Sequence, residues 1–130
     1  LSLHEANFFC AILVEKYGDE RWEYRTVQEY LELTELLAEI ERHPISLLFI
    51  KTANCGVCDV TYARTVERLK QFPQVKSMVV SMEKIPTLSG EYLVFTAPAI
   101  LLFVVGKEVF RQARFVSFDE LERVLTSITC

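Results

Sequence analysis

The stretch Ile45-Ser46-Leu47-Leu48-Phe49-Ile50-Lys51-Thr52-Ala53-Asn54-Cys55-Gly56-Val57-Cys58 decides how the rest of the chain is read. Ile45 to Ile50 is an apolar run of strand length, the pattern of a central strand covered on both faces. Asp59 to Phe72 then carries apolar residues at helical spacing. The two cysteines therefore stand at the joint between a buried strand and a helix. The first thiol falls at the helix N-terminus, where the partial positive charge of the helix end favours thiolate over thiol. The second falls one turn on, in line with Tyr62, Val66 and Leu69, and belongs to the face the helix buries. Dithiol–disulfide exchange needs that asymmetry: a reachable thiolate attacks a foreign disulfide, and a shielded neighbour resolves the mixed disulfide.

Downstream, Pro73 closes the helix and Val75 to Val80 reads as a second buried strand. A short helical piece lies around Leu88 to Val94, followed by Thr96-Ala97-Pro98-Ala99. Ala99 to Val105 makes a third strand, Gly106-Lys107 a tight turn, and Glu108 to Arg114 the edge strand of a hairpin. In the last helix Ser117 is the N-cap, Glu120 closes a capping box, Val116 and Leu121 staple the first turn, and Leu121, Val124, Leu125 and Ile128 form the buried stripe.

Upstream, Thr26 is expected to open a helix, with Glu29 completing a capping box and Val27, Tyr30, Leu31, Leu37 and Ile40 at helical spacing. His43-Pro44 ends it, and His43 reads as a C-terminal cap rather than a ligand or base. Trp22 to Thr26 suits a short strand. Leu3 to Tyr17 reads as an amphipathic helix stopped by Gly18, with Gly18-Asp19-Glu20 as linker. Its apolar face is expected to pack on the domain's own sheet first and to form a homodimer contact second. The organisation is thus an N-terminal extension, residues 1–20, and a domain over residues 21–130. The fold class is α/β, with a central mixed sheet flanked by helices.

Bulk properties exclude several functions. With 130 residues the chain is one domain able to bury a single core, and 51% hydrophobic residues suit a compact protein. A formal charge of −4 without a block of like charges offers no basis for binding nucleic acid or an anionic membrane. The longest near-apolar stretch, Tyr92 to Val105, contains Thr96 and Pro98 and is too short to span a bilayer. Phe8 to Val14 lacks a basic flank and follows Glu5, so it reads poorly as a signal peptide, and a cytoplasmic location is expected. Four cysteines are too few for a disulfide-built scaffold. Zinc would need two further ligands from Cys10, Cys130, His4 and His43, none spaced as a second pair, so no metal is expected. Cys10 reads as a small core residue, and Cys130 sits at the chain end.

The order strand, CxxC, helix, strand, short helix, Thr96-Ala97-Pro98-Ala99, strand, turn, strand, helix resembles thioredoxin, from about Arg21 onward. The resemblance implies the thioredoxin-like three-layer fold. It also implies that Cys55 is the nucleophile and Cys58 the resolving thiol around Gly56 and Val57, and that no bound cofactor is needed beyond their dithiol. It makes Pro98 a cis-proline beside the CxxC, with the backbone of Ala97 offered to a substrate strand. Asn54 and Arg114 complete the expected substrate-binding set.

The departures from thioredoxin are specific. Asn54 stands where thioredoxin has Trp, and Val57 where it has Pro, so substrate choice should differ. Gly56-Val57 holds no cation to stabilise the Cys55 thiolate, which leans towards a reductant. Phe49 replaces a buried Asp thought to move a proton at the resolving thiol. Arg114 stands where the family often has glycine. The leading expectation is a protein-disulfide reductase acting on disulfide-containing proteins, with an electron donor such as a thioredoxin reductase. The alternative is a thioredoxin-fold adaptor that docks a partner through a groove beside a weakly active or inactive CxxC.

Overall fold

The computed structural model describes residues 27–129. The expected helix Leu3 to Tyr17, its linker, the strand Trp22 to Thr26, Cys10 and Cys130 lie outside the described residues, as does the boundary set at residue 20.

The architecture is α/β. Strand β1 (Gln28–Glu29) is followed by helix α1 (Leu33–Arg42), β2 (Ile45–Lys51), α2 (Gly56–Leu69), β3 (Lys76–Ser81), α3 (Leu88–Tyr92), β4 (Ala99–Val104), β5 (Lys107–Ala113) and α4 (Phe118–Ile128). The strands form one five-stranded mixed sheet in the order β1-β3-β2-β4-β5. β2 pairs parallel with β3 and antiparallel with β4, so both its edges are hydrogen-bonded. Its faces are covered too, because strand side chains alternate. Ile45, Leu47 and Phe49 join a core with Leu69 of α2 and the whole stripe Phe118, Leu121, Val124, Leu125 and Ile128 of α4. Leu48 and Ile50 join a second core with Leu36 and Ile40 of α1 and Leu88 of α3. A run apolar at every position but the buried Ser46 is what burial on both faces requires.

Three local expectations need correction. The helix expected from Thr26 begins instead at Leu33, and Gln28–Glu29 is an edge strand parallel to β3. Tyr30 donates its N–H to the Val79 carbonyl at 3.1 Å and is itself buried, so sheet pairing and burial outweigh the local helical pattern. Glu29 closes no capping box; its carboxylate meets Lys84 at 3.2 Å. Within α1 the buried residues are Leu36 and Ile40, while Leu37 is half-buried, and Leu31, ahead of the helix, is exposed.

The hairpin turn is Val105-Gly106, and Lys107 already pairs with Val104. Both turn residues have positive φ, 53° and 79°, as a two-residue type I′ turn requires. At Gly106 the positive φ is the constraint that favours glycine, because the only close neighbour of a Cβ there, the carboxylate of exposed Glu41, can swing aside.

At α4 the Ser117 hydroxyl accepts from the Glu120 N–H at 3.4 Å, but the box is not closed by Glu120. The Glu120 carboxylate accepts instead from Gln112 Nε2 at 2.8 Å, and the side-chain Oε1 of Gln112 accepts from the Ser117 N–H at 2.8 Å. A side chain from β5 thus takes the place of the local reciprocal bond, which ties the helix start to the sheet.

His43 is the C-cap of α1 and stands at the start of β2, with its ring Nε2 bonded to the Glu39 carboxylate at 2.8 Å. Burial, opposed by Glu39 and helped by the charges of Lys76 and Arg42, holds its imidazole below the ordinary 6.5. Burial would raise Glu39, but hydrogen bonds from His43 and Arg42 outweigh it and hold the carboxyl below the ordinary 4.5. For both groups the unfolded chain binds protons first as pH falls, so stability is greatest above the unfolded pKa values and declines on acidification, through His43 first. Thermal unfolding followed from about pH 7 to about pH 5 should show a falling midpoint that is flatter in His43→Gln. Equal slopes in the two proteins would remove His43 as the source.

Candidate active site

The sheet ends its central strand at one place and the chemistry begins there. Ile50, the penultimate residue of β2, pairs with Ala99, and Ala99 pairs with Ala113. The register therefore brings the loop after β2, the residues before Ala99 and the residues after Ala113 to the same end of the sheet. These are Asn54 to Cys58, Ala97-Pro98 and Arg114.

Asn54 is exposed and left-handed, with φ 54°. Asparagine tolerates that conformation better than other side chains with a Cβ, and it turns the chain from strand into helix. Cys55 is then the N-cap of α2 and Gly56 its first residue. Cys55 and Cys58 are joined in a disulfide with their Cα atoms 5.2 Å apart. Cys58 is 1% exposed, whereas Cys55 is half-buried and the adjoining Val57 is 61% exposed. Cys55 Sγ accepts the backbone N–H of Cys58 at 3.1 Å, and the Cys55 carbonyl accepts from Asp59 N–H at 3.2 Å. The same N–H and the dipole of a 14-residue helix would favour a thiolate on Cys55 once the bond is reduced.

At the same end of the sheet, the Ala97–Pro98 peptide bond is cis. Pro98 is buried and Ala97 half-buried. The Pro98 carbonyl accepts from the Arg114 N–H at 2.6 Å, which binds the end of β5 to the loop before β4. Arg114 is exposed and left-handed, with φ 76°, a region that costs a residue with a Cβ about 1 kcal/mol relative to glycine.

Phe49 is 2% exposed and its ring meets Tyr62 of α2 at 5.3 Å between centroids. No carboxyl group occupies that position; an aromatic pair fills the layer beneath the motif helix. Lys51 and Asp59, with Tyr62, Ala63 and Val66, line a shallow groove along the same helix.

Sequence reasoning passed over the apolar residues exposed around these segments. Val60 is 62% exposed one turn beyond Val57, Phe95 is 72% exposed just before Ala97, and Phe115 is 82% exposed beside Arg114. Each reads as ordinary core stock, and only its place in the fold shows that it faces out. Among the described residues no group of three or more His, Cys, Asp or Glu side chains could hold a metal ion, and no helix is long and apolar enough to cross a membrane.

Comparison with known proteins agrees on one family. Thioredoxin-like protein YdfQ of Bacillus subtilis (strain 168) is 35% identical over 89 residues, which is 68% of this chain and 80% of that protein. A thioredoxin-like protein from Bacillus cereus ATCC 10987 is 36% identical in a superposition with a TM-score of 0.56, covering 70% of this chain and 95% of the other. A mutant thioredoxin from Halobacterium salinarum NRC-1 superposes with a TM-score of 0.72 at 21% identity, covering 82% and 93% of the two chains, a likeness of fold. No family model matches the chain.

Relief of the left-handed strain gives a direct test of the Arg114 geometry. Arg114→Gly should raise the unfolding free energy by about 1 kcal/mol, read as a higher denaturant midpoint at unchanged slope. A loss of stability would mean that the arginine side chain contributes more than its backbone conformation costs.

Proposed function

The chain belongs to the thioredoxin-like family, and from that premise we propose that it is a thiol–disulfide oxidoreductase that reduces protein disulfides through Cys55 and Cys58. The observation that carries this reading is the unequal placement of the two sulfurs: Cys55 half-buried at the N-cap of α2 and receiving an N–H, Cys58 shielded one turn behind it. In the reduced protein the Cys55 thiolate attacks one sulfur of a substrate disulfide. An S–S bond forms between Cys55 and the substrate, the substrate bond breaks, and the departing sulfur takes the electron pair and a proton. Cys58, deprotonated, then attacks Cys55, which releases the second substrate thiol and leaves the Cys55–Cys58 disulfide. Two electrons have passed to the substrate, and a donor such as a thioredoxin reductase must return them. The dithiol is its own redox group, so this scheme needs no further cofactor.

In the same reading a substrate strand lies against the backbone of Ala97 beside Pro98, with Asn54, Val57 and Arg114 as side-chain contacts. Asn54 in place of a flat indole, and the exposed Val57, Phe95 and Phe115, favour an extended apolar segment over one that requires stacking. A cytoplasmic setting suits a reductant, because thiols are kept reduced there.

Phe49 favours a second reading, an adaptor that docks a partner at this end of the sheet with a slow or idle CxxC. The scheme above needs a base to deprotonate Cys58, and the buried position beneath the helix offers an aromatic ring instead.

The two readings separate in a trapping experiment. Reduced Cys58→Ser should accumulate a mixed disulfide with a protein disulfide such as insulin, visible as an added mass, and Cys55→Ser should accumulate none. Equal trapping by both, or by neither, would leave the adaptor reading standing. A carboxyl group tests the missing base directly. Phe49→Asp should raise turnover of small disulfides several-fold while lowering stability by about 3 kcal/mol or more, since it removes a packed ring and buries a polar group. A folded variant with no gain in rate would show that proton transfer at Cys58 does not limit turnover.

A further inference from the structure

Arg111 of β5 makes more side-chain hydrogen bonds than its place on an edge strand requires. Its guanidinium reaches the end of α3, where Nη1 donates to the Leu93 carbonyl at 3.0 Å and Nη2 donates to the Tyr92 carbonyl. Nε and Nη2 also meet the two carboxylate oxygens of Glu108 at 3.0 and 2.7 Å, which fixes the plane of the fork. Carbonyls in the last turn of a helix have no partner within the helix, and a cation there is favoured by the helix dipole.

Between the two chelated carbonyls the backbone is strained. Leu93 is left-handed, with φ 53°, and its side chain is 67% exposed, so burial of that side chain does not hold it. A residue with a Cβ keeps such a conformation where its surroundings overdetermine it. Those surroundings are the Arg111 fork, the Val94 N–H bonded to Ser89 O at 3.3 Å, the Tyr92 ring against Phe103 at 5.4 Å, and Val94, 3% exposed in the core. Only Phe95, Thr96 and Ala97 then separate this anchor from Pro98, which is anchored in turn through its carbonyl to Arg114. The segment that enters the Pro98 loop at the disulfide end of the sheet is a short bridge between two fixed points, and Arg111 holds one of them.

We propose that Arg111 is a positioning residue for the substrate groove: its grip on the Tyr92 and Leu93 carbonyls sets where Phe95 and Ala97 stand at the disulfide end of the sheet, and thereby how well a protein disulfide docks. The proposal rests on the oxidoreductase reading of Cys55 and Cys58. The four bonds of Arg111 all go to the end of α3 and to Glu108, so its effect falls on docking and not on the exchange of sulfurs. Lysine carries the charge but not the fork, and cannot serve two carbonyls and a carboxylate in one plane.

The test uses the same chain, residues 1–130, as wild type, Arg111→Ala, Arg111→Lys and Ile128→Val, the last trimming a buried side chain of α4 as a matched destabilisation. Insulin reduction with dithiothreitol as electron source gives kcat and KM, and hydrogen exchange reports the amides of residues 92–97. Arg111→Ala should raise KM about fivefold with kcat within about twofold, and speed exchange over residues 92–97 about tenfold. Arg111→Lys should fall between it and wild type, and Ile128→Val should leave KM and that exchange unchanged. An unchanged KM despite faster exchange would reduce Arg111 to a structural tie, and unchanged exchange would remove the clamp; either overturns the proposal. So would a loss confined to kcat. A wild-type chain that fails to reduce insulin would sink the oxidoreductase reading and this proposal together, a result distinct from an active wild type beside an indifferent Arg111→Ala.

Discussion

Burial of β2 on all sides is the constraint from which the rest of the structure follows. A strand paired on both edges has every backbone N–H and C=O committed, and covering both faces demands an apolar side chain at nearly every position. Ile45 to Ile50 meets that demand. It fixes the layer order, with α2 and α4 against one face and α1 and α3 against the other. It also fixes where chemistry can occur. A strand enclosed in this way can offer a reactive group only where it ends, and β2 ends one short turn before Cys55. The helix that begins there supplies the Cys58 N–H to the Cys55 sulfur because the first turn of a helix has amides without internal partners.

The end of the sheet that carries the disulfide also concentrates unusual backbone. Asn54 and Arg114 are left-handed beside the motif and the Pro98 loop, and Leu93 is left-handed at the head of the segment leading into that loop. Each reverses or redirects the chain in a single residue, which allows three separate segments to converge without long loops. Glycine would do this at no steric cost, yet none of the three positions is glycine. Neighbours hold two of the three: the Pro98 carbonyl receives the Arg114 N–H, and Arg111 grips the carbonyls around Leu93. Stability is thus spent locally to bring a cysteine pair, a proline loop and a strand end together.

The layer beneath the motif helix is apolar. Phe49 against Tyr62 packs as an aromatic pair and completes the core under α2. It adds apolar burial, and it places no carboxyl group at this position. The surface compensates in another direction, since the exposed Val57, Val60, Phe95 and Phe115 give this end of the sheet an apolar rim.

Much of this was legible in the chain itself. Continuous apolar runs, a CxxC at a strand–helix joint and the stripe Leu121, Val124, Leu125 and Ile128 determined the α/β class, the central strands, the last helix and the position of the cysteine pair, because these signals arise from burial periods that local sequence carries. Where two local signals competed, tertiary pairing decided. Gln28–Glu29 became an edge strand because β3 offered it hydrogen bonds and Tyr30 a buried site; Glu120 left its capping box because Gln112 approached from β5. The turn settled on Val105-Gly106 because the Val104–Lys107 pair closed it and both turn residues take positive φ. The left-handed residues, the outward Phe95 and Phe115, and the grip of Arg111 on α3 were likewise decided only in three dimensions. All of them depend on contacts between segments far apart in the chain, and spacing along a sequence carries no record of which distant carbonyl a side chain will meet.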